Sequence, residues 1–177
     1  MSDSDRAALR ELLRDGFERV RELVEGVCEG LSQEQATYRP DAEANTIGWL
    51  VWHLTRIQDD HVAGLVDGEQ VWTRKGWYDR LGLPFDEEVH GYGQSPADVA
   101  KVQSDPAALA RYHADVHEVT LAYVDGLDAA ELARVVDTAW DPPVTVSVRL
   151  VSVMGDCLQH LGQAAYVRGL AERATAD

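Results

Sequence analysis

Residues 45–54 read Asn45-Thr46-Ile47-Gly48-Trp49-Leu50-Val51-Trp52-His53-Leu54. Asn45-Thr46 is a helix start signal, because a side-chain oxygen there can accept a bond from the free N–H groups of the first turn. The residues that follow are apolar apart from one imidazole, and Gly68 supplies the stop. The pattern predicts a helix from about Ile47 to Val66, rich in tryptophan and leucine, with His53 inside it.

Three more long helices emerge on either side. Leu9, Leu12, Leu13, Phe17, Val20, Leu23, Val24 and Val27 recur at helical spacing, with Ser4 or Asp3 placed to cap the start and Gly30 to end it. Ser32 with Gln35 reads as a capping box for a short turn, closed by Arg39-Pro40. From Trp72 to Gly93, glycines and a proline punctuate a run holding Trp72, Trp77, Tyr78, Phe85 and Tyr92, the pattern of a packed lid or a functional surface. Ser95-Pro96 opens a short helix, and Asp105-Pro106 opens a long one that reaches about Val124 before Gly126. Asp128 with Glu131 starts a short helix across Leu132 to Val135, and Trp140-Asp141-Pro142-Pro143 forces an extended turn. The last helix runs from about Val146 or Ser147 to Arg173, and Val144-Thr145-Val146 is too short to make a sheet. The expected fold is an all-α four-helix bundle in one domain over 1–177, with a long crossover between the second and third helices.

Composition narrows the function. With 16 Lys+Arg against 31 Asp+Glu, the formal net charge of the 177-residue chain is −15. That charge repels phosphate backbones and anionic bilayers, so neither nucleic acid nor membrane is an expected partner. No stretch approaches 18 consecutive apolar residues and the first residues form no leader, so a cytoplasmic location is expected. Cys28 and Cys157 are too few for a disulfide scaffold and do not form a CxxC pair.

Of six histidines, His113 and His117 stand at i,i+4 among Arg111, Asp115 and Glu118, which reads as a solvated surface pair. His90, beside Glu87 and Glu88, reads as exposed, and His61 after Asp59-Asp60 as structural or supporting. His53 differs, since an imidazole in an apolar helix needs a partner; leaving it unpaired costs roughly 1–3 kcal/mol. Asp156 and His160, four residues apart, share one face of the last helix with Cβ atoms roughly 5–6 Å apart. A carboxylate and an imidazole at that spacing, with a third imidazole from a facing helix, form a three-ligand set with an open position. Asp60, Gln163 and Arg149 fall on the same faces and are candidate supporting residues or substrate contacts. Spacing alone favours Asp156 pairing with Arg149 or His160 as an ion pair that orders the bundle.

Two segments carry a family resemblance. Thr46-Ile47-Gly48-Trp49-Leu50-Val51-Trp52-His53-Leu54 and His160-Leu161-Gly162-Gln163-Ala164-Ala165-Tyr166-Val167-Arg168-Gly169 resemble the DinB-like superfamily, and within it the actinobacterial mycothiol S-transferase-like branch. Trp72-Thr73-Arg74-Lys75-Gly76-Trp77, Gly91-Tyr92-Gly93 and Trp140-Asp141-Pro142-Pro143-Val144-Thr145-Val146 look like the same branch. The resemblance implies a bundle with a metal held between helices, usually by three histidines, and matches two of those ligands to His53 and His160. Where the family usually has a histidine this chain has Asp156; relatives of mycothiol-dependent maleylpyruvate isomerase have a Glu-x3-His pair there, one methylene longer.

The implied chemistry is activation of a low-molecular-weight thiol, mycothiol, for attack on an electrophile in detoxification. The implied cofactor is a divalent metal, Zn²⁺ first, with Ni²⁺, Fe²⁺ and Mn²⁺ compatible by ligand type. Its partners would be the small thiol and the electrophile, with room for a homodimer. Two other readings stand beside it: a non-catalytic metal-binding protein of the stress response, and a metal-assisted hydrolase.

Overall fold

The computed structural model describes residues 2–175. In chain order it contains α1 (Asp3–Cys28), α2 (Gln33–Ala36), α3 (Ile47–Leu65), α4 (Val71–Arg74), α5 (Trp77–Leu81), α6 (Pro96–Val99), α7 (Pro106–Gly126), α8 (Ala129–Ala133), β1 (Val135–Asp137), β2 (Val144–Thr145) and α9 (Val146–Ala174). The four long helices close a ring: α1 and α3 each pack against both α7 and α9. The core between them includes Phe17, Leu50, Trp52, Leu54, Tyr112, Leu150 and Leu161, all buried. Each such side chain contributes roughly 1.5–3 kcal/mol through the apolar area it removes from water.

The starts of the long helices follow their sequence signals. The Thr46 hydroxyl accepts from the Trp49 N–H at 3.0 Å, and Asp105 caps α7 with Pro106 at the first position. At α1 the cap is Ser2 rather than Ser4 or Asp3; its hydroxyl and the Asp5 carboxylate satisfy each other's backbone N–H. The helix then ends at Cys28, before the left-handed Gly30.

The crossover between α3 and α7 is pinned to α3 by two buried charged residues. Asp59 accepts from the Val71 and Trp72 N–H groups at 2.8 Å each, and from the Tyr112 hydroxyl at 2.8 Å. It thereby satisfies the free end of α4 from another helix. Arg56 lies 4.8 Å over the Trp72 ring and donates to the Glu87 and Val89 carbonyls and to Gln70 Oε1. These bonds fix the path of residues 87–90 across the face of α3.

Other expectations are overturned. Val144-Thr145 does form a sheet, pairing antiparallel with Val135–Asp137, because the turn through Trp140-Asp141-Pro142-Pro143 folds the two runs side by side. The short helix accordingly stops at Ala133, and Val135 becomes strand. His113 and His117 are not a surface pair, since both rings are buried. They share the α7 face of Leu109, Val116 and Thr120, whereas Arg111 and Glu118 are exposed on another face. His117 Nε2 lies 3.4 Å from Glu18 Oε2, and neither imidazole has an aligned hydrogen-bond partner among the described residues.

Candidate metal centre

α3 and α9 run side by side, and the only His/Cys/Asp/Glu cluster of metal-binding dimensions among the described residues lies between them. His53 from α3 and Asp156 and His160 from α9 offer one atom each, all within 4.8 Å of one another. The His53 and His160 rings meet edge-on at 4.9 Å between centroids, and Trp49 stacks on His53 at 4.6 Å. His160 Nε2 stands 3.5 Å from Asp156 Oδ1.

The hydrogen bonds behind the rings select which nitrogen is free. His53 Nδ1 lies 2.5 Å from the His90 carbonyl oxygen. A carbonyl only accepts, so Nδ1 carries the proton and Nε2 keeps its lone pair. His160 Nδ1 faces Gln163 Oε1 at 3.4 Å, which assigns the same tautomer to the second ring. Both imidazoles thus present Nε2 to the space shared with Asp156. The other Asp156 oxygen, Oδ2, is buried without a hydrogen-bond partner. A carboxylate oxygen cut off from water and unpaired is costly to hold, and a cation bound by the carboxylate and the two ring nitrogens offsets that cost. The donor set of one oxygen and two imidazole nitrogens fits a divalent metal of the zinc type.

Burial lowers the pKa of His53, which keeps it neutral and able to ligate. Burial alone would raise Asp156, but the His160 bond and the His160, His53 and His61 imidazoles leave it below its ordinary value. The bond to Asp156 raises His160.

The supporting candidates separate. Gln163 Oε1 lies 3.4 Å from His160 Nδ1. Asp60 instead accepts from Gln70 Nε2 at 2.8 Å, and Arg149 donates to Asp137 Oδ2 at 3.2 Å and lies 3.4 Å from His61 Nε2. Arg149 is therefore not the partner of Asp156, and these residues gather around a separate polar cavity. A larger groove of about 870 Å³ between Val66, Tyr123 and Arg134 includes none of the triad.

The crossover contributes what residue spacing did not disclose. The His90 carbonyl orients His53, while the His90 side chain is half-buried in place of the exposed role expected for it. Gln94 accepts from Trp49 Nε1 at 2.7 Å, steadying the ring stacked on His53. Gly91 sits at φ +99°, and a Cβ there would come 2.7 Å from His53 Nδ1 and 3.0 Å from Trp52. Only glycine lets the loop approach so closely. Gly91→Ala is expected to push the His90 carbonyl off His53 and to weaken Zn²⁺ binding about 10- to 100-fold, read by competition with a chromogenic chelator.

Comparison with solved structures finds 30% identity and a TM-score of 0.85 to a crystal structure described as the conserved protein of locus from Enterococcus faecalis, covering 91% of this chain and 95% of that one. No curated protein matches the chain. A family model described as Mycothiol-S-transferase matches residues 12–172, from the third turn of α1 through nearly all of α9 and including His53, Asp156 and His160. The chain belongs to the mycothiol S-transferase family.

Proposed function

We propose that this protein is a metal-dependent S-transferase that uses mycothiol against electrophiles, a detoxifying activity suited to the cytoplasm, with His53, Asp156 and His160 as the metal ligands. The observation that carries the reading is the clustering of the Asp156 carboxylate, one oxygen of which is buried and unpaired, with two imidazoles whose Nδ1 atoms face His90 and Gln163. A zinc-type ion bound there would lower the pKa of a thiol at its open position and supply a thiolate at neutral pH.

The chain's own residues do the rest. Asp156 brings the single formal negative charge of the ligand set. The His90 carbonyl and Gln163 face the Nδ1 atoms, which leaves Nε2 as the nitrogen each ring would offer a cation. Trp49 walls the site on the His53 side. An apolar cavity of about 310 Å³ between Leu50, Tyr166, Val167 and Gln163 adjoins His160 through Gln163 and suits an apolar electrophile.

Neither protein thiol is suited to be the nucleophile. Cys157 and Cys28 are both buried; burial pushes the Cys157 thiol far above its ordinary value and the Cys28 thiol up to about 12. The nucleophile is therefore the cosubstrate's sulfur. Cys28→Ala is expected to consume mycothiol at the wild-type rate, as followed by a thiol-depletion assay.

The deciding experiment couples metal analysis of protein purified without chelators to mycothiol depletion with a panel of haloarenes and epoxides. One divalent ion per chain and metal-dependent thiol consumption are expected. Metal binding without thiol consumption would favour the non-catalytic stress-response reading. Electrophile turnover without added thiol would favour the hydrolase.

A further inference from the structure

The outward side of α1 and α9 is apolar. Of the ten large apolar side chains left exposed among the described residues, six belong to these two helices: Leu12 and Leu23 on α1, and Val148, Val151, Leu158 and Tyr166 on α9. Two contacts set the register between the helices. Met154 lies so close over Gly16 that a Cβ there would come 2.5 Å from its terminal carbon, and Arg168 donates to the Gly26 and Val27 carbonyls. The helices therefore run in the same direction. Leu12, one turn before Gly16, falls level with Val151, and Leu23, two turns after it, falls level with Leu158 and Gly162. The exposed residues thus form one strip along the α1–α9 wall instead of being scattered singly.

Charge is kept off this strip. Between Val148 and Gly169, α9 carries three formally charged side chains, Arg149, Asp156 and Arg168. Arg149 turns to Asp137, Asp156 to the metal centre, and Arg168 to α1 and Glu172. The outer face of α9 is left to Val148, Val151, Gly155, Leu158, Gly162 and Ala165. On α1, Arg19 stands between Leu12 and Leu23 and is paired with Asp15. In a chain of net charge −15, a neutral strip is where a second copy can approach without the repulsion offered by the rest of the surface. A basic partner would be drawn instead to the acids elsewhere.

The strip is also complementary to itself. Val148, Gly155 and Gly162 repeat every seven residues, and beside them Val151, Leu158 and Ala165 do the same. Laid antiparallel on a second copy, Leu158 meets Gly155 of that copy, Val151 meets Gly162 and Val148 meets Ala165, so each large side chain has a small one opposite. From Val148 to Gly169 the strip is about 33 Å long, and with α1 beside α9 it is about 20 Å wide, so pairing covers roughly 650 Å² per copy. Specific interfaces begin at about 600 Å² per partner. We propose that this protein forms a two-fold homodimer through the α1–α9 face, with the two copies of α9 antiparallel across Gly155, Leu158 and Gly162. Asp156 and His160 point to the other side of α9, toward His53 on α3, so each copy keeps its own metal centre.

Sedimentation equilibrium of the full chain at micromolar concentrations tests the proposal. A particle of twice the 19.6 kDa chain mass is expected. Added salt is expected to tighten the dimer, because it screens the repulsion between two acidic chains and leaves a neutral interface intact. Leu158→Glu places a charge at the centre of the strip in both copies and is expected to weaken the dimer about 100-fold or more. Its far-UV circular dichroism should match the wild type, since Leu158 is already exposed in the single chain. Val151→Glu, at a still more exposed position, gives the same reading should Leu158→Glu lose helix. Val66→Glu, a comparably exposed apolar residue just past α3, is expected to leave the dimer intact. A wild-type protein that stays monomeric at every concentration overturns the proposal. So does a folded Leu158→Glu or Val151→Glu dimer as tight as the wild type, or equal dissociation by Val66→Glu.

Discussion

His160→Ala is expected to abolish metal retention and to lower mycothiol consumption about a thousandfold. The magnitude has two sources. A cysteine-type thiol titrates near 8.5, so at pH 7 only about 3% is ionised, and losing the cation at the site forfeits about 30-fold in thiolate. The remaining factor of about 30 reflects lost positioning of the sulfur against its electrophile. His160 makes the larger expected difference because it connects three parts of the site. Its Nε2 lies 3.5 Å from Asp156 Oδ1, its ring packs 4.9 Å from His53, and its Nδ1 is held by Gln163. Removing it leaves Asp156 with an unpaired buried oxygen and no counter-group on its own helix. Asp156→Asn is the milder comparison: it keeps size and one oxygen but removes the charge. It is expected to weaken Zn²⁺ binding while retaining the fold, as followed by chelator competition and far-UV circular dichroism. Equal metal content in wild type and His160→Ala would mean that the cation is held elsewhere.

Acid is expected to destabilise the protein through a different pair of histidines. His113 is buried between α7 and α1 with both ring nitrogens unpartnered, and burial pushes its pKa down to about 3 from an ordinary 6.5. The neighbouring His117 and Arg21 charges contribute to that lowering. The unfolded chain therefore takes up a proton near pH 6.5 that the folded chain refuses until about pH 3. Stability is fully present above 6.5 and is lost as the pH falls through that window, by about 2 kcal/mol at pH 5 from this residue. His117, also lowered by burial though opposed by Glu18, adds in the same direction. His53 and His61, lowered by burial, do so too, whereas the raised His160 opposes them. Urea denaturation of chelator-stripped protein at pH 7 and pH 5 separates these effects from metal release. His113→Leu is expected to flatten the difference and, by removing two unpaired polar atoms, to match or exceed wild-type stability at pH 7. A wild-type stability unchanged between pH 7 and pH 5 would contradict the burial of this ring.

The bundle was legible because local and global signals agreed. Thr46, Asp105-Pro106 and the apolar run of α3 mark helix starts and a buried helix without reference to anything distant. The Asp156–His160 spacing was legible for the same reason, as was Gln163 three residues on. The His113–His117 pair misled because charged neighbours in sequence, Arg111 and Glu118, lie on other faces of the helix. Leu109, Val116, Thr120 and Val124, at helical spacing with the two rings, carried the correct signal. Asp60 and Arg149 share helix faces with the metal ligands, yet two turns of helix separate them from the centre. The His90 carbonyl, the Gly91 approach and the Arg56 bonds to Glu87 and Val89 depend on how a long crossover is laid down, and backbone oxygens have no signature in residue identity. Gly91-Tyr92-Gly93 was the one available hint, since paired glycines mark a chain taking conformations that other residues resist.

Under the proposed function, His53, Asp156 and His160 hold a cation that ionises the cosubstrate thiol. Proton release on mixing mycothiol with Zn²⁺-loaded protein in weakly buffered solution at pH 7, read with a pH indicator, tests it most directly. About one proton per chain is expected at saturation from the loaded wild-type protein, and none from chelator-stripped protein or from loaded His160→Ala. Mycothiol binding to the loaded protein with no proton release, or the same release with and without metal, would contradict it.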